Sequence, residues 1–185
     1  MADSNDGSKK KELLKWLSLI VGALLAFFFG LVSSLADDTV KGADACYDVL
    51  TQYLENVSSD FWELNHARRI PLPEQPDPQN PQEQRVREAA RKYNTEIDAT
   101  YLKVQSKCPL TVLHTYLKSD DVAKFNDDYN ELAKKCFEAP ECGDVQAETV
   151  QRKSAASTKP LIDQAGTVAT WGWLRRGIYA LRHSW

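Results

Sequence analysis

Between Trp16 and Ala36 the chain reads WLSLIVGALLAFFFGLVSSLA, 21 residues without a single charge. As a helix rising about 1.5 Å per residue this run measures roughly 31 Å, the hydrocarbon thickness of a bilayer. Such a run has three fates: it spans a membrane, it is removed as a signal peptide, or it is buried in a protein core. Lys9, Lys10, Lys11 and Lys15 precede it and Asp37 and Asp38 follow it. A fully uncharged run of this length flanked by lysines on one side argues against a core helix, and the lysines keep the N-terminus in the cytoplasm by the positive-inside bias. Trp16 stands at the position of an interfacial anchor. Ser34 and Ala36 form a small-x-small pattern ahead of Asp37 that a signal peptidase would accept, but the apolar run exceeds the ~7 to 15 residues of a usual signal-peptide core. The expectation is a basic cytoplasmic leader over residues 1–15 and a retained transmembrane signal anchor over 16–36. Everything from residue 37 onward is then extracytoplasmic. Within the span Gly22, Ala26, Gly30 and Ser34 recur every fourth residue. They share one helix face on which a second copy can approach closely, so a homo-oligomer through this helix is expected.

Charge is unevenly distributed once that span is set aside. Residues 37–150 hold 13 basic against 22 acidic side chains, whereas residues 151–185 hold six basic ones and only Asp163. An acidic middle repels nucleic acid, and no nucleic-acid partner is expected; a basic, Trp-rich end is suited to an anionic surface.

All four cysteines, Cys46, Cys108, Cys136 and Cys142, follow the apolar run. An even number on the oxidising side of a membrane points to disulfides. Zinc is disfavoured because the spacing has no C-x2-C pair and His66 and His114 have no partner at ligand spacing. Four cysteines allow three pairings, and helix periodicity chooses among them. Cys46, Val49, Leu50, Tyr53, Leu54, Val57, Phe61 and Leu64 recur at three- and four-residue steps, the pattern of an amphipathic helix from Ala43 to about Arg69. PLPEQPDPQNP, residues 71–81, stops that helix. A second stripe then runs through Val86, Ala89, Ala90, Tyr93, Ile97, Tyr101, Val104 and Cys108. If the two helices fold back about residue 77, Cys46 and Cys108 lie level. The pairing expected is therefore Cys46 with Cys108, leaving Cys136 with Cys142.

Further on, Leu110, Val112, Leu113, Tyr116 and Leu117 suggest a short helix after Pro109. Ser119 or Asp120 is a suitable cap for another, with Val122, Phe125, Tyr129, Leu132, Ala133 and Cys136 on its inner face. With strand signals scarce, the fold expected is all-α: one transmembrane helix plus a small disulfide-stapled helical bundle over 37–150. Residues 151–160, QRKSAASTKP, read as a flexible linker, and 161–185 as a basic aromatic amphipathic tail. On a helical wheel Trp171, Leu174, Ile178, Leu181 and Trp185 share an arc, Arg175 and Arg182 edge it, and Arg176 lies behind. Together with Trp173 these are the residues expected to touch a membrane interface or a partner.

No Gly-x-Ser-x-Gly, His-Glu-x-x-His, Walker or dinucleotide glycine pattern accompanies His66, His114 and His183. The pairs Asp37/Asp38, Asp120/Asp121 and Asp127/Asp128 lack calcium-loop spacing. Neither catalysis nor a cofactor or metal is expected. Asn56-Val57-Ser58 fits a glycosylation sequon. Two functions lead: a membrane-anchored envelope protein whose exported domain binds or positions a partner protein, or a lysis- or toxin-like protein that acts on the bilayer through its tail; an exported hydrolase using a carboxylate pair brought together only by the fold is a third, weaker reading.

Overall fold

The computed structural model describes residues 6–68, 79–110, 115–132 and 144–183. Among these it contains five helices and no strand: α1 Asp6–Arg68, α2 Pro81–Lys107, α3 Ser119–Leu132, α4 Asp144–Ala169 and α5 Trp173–His183. They divide into two compact units. Unit 1 is Met1–Val40 with Trp171–Trp185, and unit 2 is Lys41–Thr170.

Unit 2 is a helical bundle formed by the later part of α1 with α2, α3 and α4. The first stripe turns inward as its spacing requires: Cys46, Leu50, Tyr53, Val57, Phe61 and Leu64 are all buried. They meet Tyr93, Ile97, Tyr101 and Val104 of α2, Val122, Phe125, Tyr129 and Leu132 of α3, and Leu161 and Ala165 of α4 in one core. Each large apolar side chain so buried contributes about 1.5 to 3 kcal/mol before the entropy of ordering it is charged against it. The centre is aromatic. Tyr53 meets Phe125 edge to face at 5.3 Å, and Tyr101 stacks on Tyr129 with centroids 3.4 Å apart.

Helix starts follow local chemistry. Asn80 caps α2 by accepting from the Gln82 N–H at 2.8 Å, and Pro81 fills the first helical position, where no donor is needed. α3 begins at Ser119, one residue earlier than a Ser119 cap and two earlier than an Asp120 cap would place it, and Lys118 O accepts the first helical N–H, from Val122. Gln164 of α4 secures this end from outside: it accepts from the Lys118 N–H at 2.7 Å and donates to Asp121 at 2.5 Å. Directly before α3, residues 115–118 are irregular rather than part of a short helix, although Leu117 is buried as expected; residues 111–114 lie outside the described residues.

Two expectations about the chain's second half need correction. Residues 151–160 are not a linker, because they lie inside α4. Ser154, Ser157 and Thr158 are buried there and continue into Leu161, Ala165 and Val168, a stripe at helical spacing made of small and apolar side chains. The Ser157 and Thr158 hydroxyls donate to Ser154 O, which removes the cost of burying them. Nor is 161–185 one tail: residues 161–169 complete α4 in unit 2, while α5 belongs to unit 1.

Candidate membrane and partner surfaces

The pairing of Cys46 with Cys108 is present, with Cα atoms 4.7 Å apart, and it ties the α1 and α2 segments of the hairpin at their shared end. Cys136 and Cys142 lie outside the described residues. Cross-links of this kind contribute roughly 2 to 5 kcal/mol in small exported domains. Three polar ties line the same hairpin. Asn56 donates to Thr100 Oγ1 at 2.9 Å, and Lys92 reaches Glu63 at 2.7 Å and Asp60 at 3.5 Å. The sequon's asparagine is thus engaged across a helix pair, with Val57 beside it in the core, a poor setting for a glycan.

Asp60 is buried, and among the described residues its Oδ2 has no hydrogen-bond partner. Burial raises its pKa first of all; the Glu96 carboxyl raises it further, and Lys92 only partly offsets both. At this end of the hairpin an open groove of about 490 Å³ is lined by Glu63, His66, Gln82, Arg85, Glu88 and Arg91. Among the acidic pairs, Asp127 is exposed, whereas Asp128 turns inward and pairs with Lys124 at 3.1 Å. Among the described residues no group of three or more His, Cys, Asp or Glu side chains is placed to hold a metal.

On the surface of unit 2, Trp62 is 60% exposed and Leu102 57% exposed. Periodicity had no means of marking either as functional, since each lies off its helix's inner stripe.

Unit 1 is organised differently. Every described side chain from Lys11 to Leu31 is exposed, so this stretch of α1, long and apolar enough to cross a membrane, is not a core helix of the described fold. Gly22, Ala26, Gly30 and Ser34 are exposed as well, and open space surrounds Gly22 and Gly30. The face that α1 does use carries Val32 and Ala36, both buried. Against it lies α5. A Cβ on Gly177 would overlap Val32 Cγ1 and come within 2.8 Å of Val32 O. Phe29 and Trp173 meet at 5.9 Å.

Of the tail residues singled out from sequence, Trp173, Leu174 and Ile178 remain about half exposed, Arg175 and Arg182 are exposed, and Trp171, Arg176 and Leu181 are partly buried. Trp185 lies outside the described residues. The Arg175 guanidinium sits 4.3 Å over the Trp171 ring, and Trp171 meets Tyr179 edge to face. Val32 and Gly177, which make the contact, are the residues that sequence reasoning missed. Only the glycine gave a signal, standing alone within an otherwise bulky amphipathic helix.

No known protein family, curated protein or solved structure matches the chain. Function therefore rests on these surfaces alone.

Proposed function

We propose that this is a single-pass, membrane-anchored protein with its N-terminus in the cytoplasm, whose disulfide-stapled helical domain lies outside the cytoplasm and binds or positions a partner protein without catalysis. The observation that carries the reading is the fully exposed apolar stretch of α1, followed in the same chain by a disulfide-closed bundle. An apolar surface of that length needs lipid around it, and a disulfide needs an oxidising compartment. Trp62 supports the partner role, because exposed tryptophan is the side chain most enriched where protein interfaces concentrate their energy. The docking of α5 on α1 supports a tail that stays with the anchor, and so tells against a lysis-like tail that inserts on its own.

The test is a photo-crosslinking amino acid placed at Trp62 in the full chain in its own membrane, with Lys103 as the exposed control. A discrete adduct of protein mass from position 62 and none from 103 is the expected result. Equal labelling at both positions, or none at either, overturns the partner role.

A further inference from the structure

Unit 1 exposes large apolar side chains on both of its helices. On α1, Leu24, Phe27, Phe28 and Leu31 are exposed, and on α5 so are Trp173, Leu174 and Ile178. The Phe29–Trp173 and Val32–Gly177 contacts join them. Depth follows from the register. Val32 stands four residues before the end of the uncharged run, roughly 6 Å inside its edge at 1.5 Å per residue. That is the depth, about 5 to 10 Å, at which interfacial helices lie between head groups and acyl chains.

The charge on α5 fits the same level. Arg175, Arg176 and Arg182 stand on it, and from Gln164 to His183 there is no Asp or Glu. None of the three arginines forms an ion pair among the described residues, and Arg175 is held by the Trp171 face instead. A guanidinium at head-group depth with no carboxylate beside it is matched by phosphate oxygens, which it can engage in pairs.

We propose that α5 is a second membrane element, seated against the C-terminal part of the anchor at the boundary between acyl chains and head groups, and that its arginines reach outward from there to bind the phosphate of anionic phospholipids. The proposal rests on the reading of α1 as a membrane anchor. Trp173, Leu174 and Ile178 then face acyl chains, while Gly177 holds the helix to α1.

The experiment is native mass spectrometry of the detergent-solubilised full chain with phosphatidylglycerol or phosphatidylcholine of the same acyl composition. Phosphatidylglycerol should be retained about tenfold better, the scale set by one to two basic side chains at an anionic surface. R175Q/R176Q/R182Q should abolish that preference, and L174S/I178S should lower retention of both lipids. Excess inorganic phosphate should leave retention unchanged. Equal retention of the two lipids, an undiminished preference in the arginine variant, or displacement by free phosphate each overturns the proposal. A carbonate wash of the full chain from vesicles separates the two readings: extraction of the wild type removes the anchor and this inference together. Retention without lipid preference removes the inference alone.

Discussion

At Gly177 two physical effects oppose each other. In a helix interior Ala is favoured over Gly by about 1 kcal/mol, so on propensity alone Gly177→Ala would stabilise α5. The Val32 backbone forbids it: the added Cβ overlaps Val32 Cγ1 and comes within 2.8 Å of Val32 O, and a carbonyl in a helix cannot turn aside as a side chain can. Overpacking of this kind costs about 1 to 3 kcal/mol, so G177A should be neutral to destabilising and G177L should open the tail roughly tenfold or more. Limited proteolysis of residues 171–183 in the full chain would register the change as faster cleavage. Asp60 raises a question of sign. Its pKa in the folded state is raised, by burial first and by Glu96 next. The native state therefore holds a proton that the unfolded chain gives up near pH 4. Stability increases as pH falls from neutral through the raised value, and Asp60 costs stability above it. Asp60→Asn should raise the denaturation midpoint at pH 7.5 and flatten its dependence on pH between there and about 4, as urea titrations at several pH values would show.

Among the elements, α4 is the one that composition misdescribes. QRKSAASTKP contains little that is apolar, and Pro160 within it reads as a stop. Yet Ser154, Ser157, Thr158, Leu161, Ala165 and Val168 form a continuous buried stripe. The face is helical in period but small in side chain, and a search for large apolar residues passes over it. At Gly166 a Cβ would find ordinary contact with the Tyr47 ring at 3.5 Å, so it is the Ser154–Val168 stripe and not this glycine that seats α4. The backbone amides of 151–159 should therefore be protected in hydrogen–deuterium exchange to a degree comparable with those of α2. Exchange at the rate of a free linker would show that the stripe does not pack. The α1 and α2 stripes, in contrast, consist mainly of Leu, Ile, Val, Tyr and Phe at three- and four-residue steps, and most of each is buried where its spacing implies, with Val49, Leu54, Val86 and Ala90 half-buried.

At the scale of the whole molecule, the disulfide and the apolar run make a joint prediction. A cysteine introduced at the exposed Lys103 (K103C) should be labelled on intact cells by a membrane-impermeant thiol reagent, and the protein should resist carbonate extraction. Labelling that appears only once the membrane is broken would reverse the orientation, and an N-terminus at Asp37 would show that the run is cleaved after Ala36. Both outcomes leave the bundle intact, because its core and its Cys46–Cys108 bond lie wholly within unit 2. The sequence by itself determined the apolar span, the helical character of the chain, the hairpin and its disulfide. Each of these depends on local period, on length, or on the symmetry of two helices about a proline-rich segment, and such properties are written along the chain. Only the tertiary structure decided that α4 runs through the expected linker, that Asp60 is enclosed beside Glu96, and that α5 rests on Val32 by way of Gly177. Those outcomes depend on which surfaces meet, and a residue with no side chain or only a small one gives almost no signal until its neighbour is known.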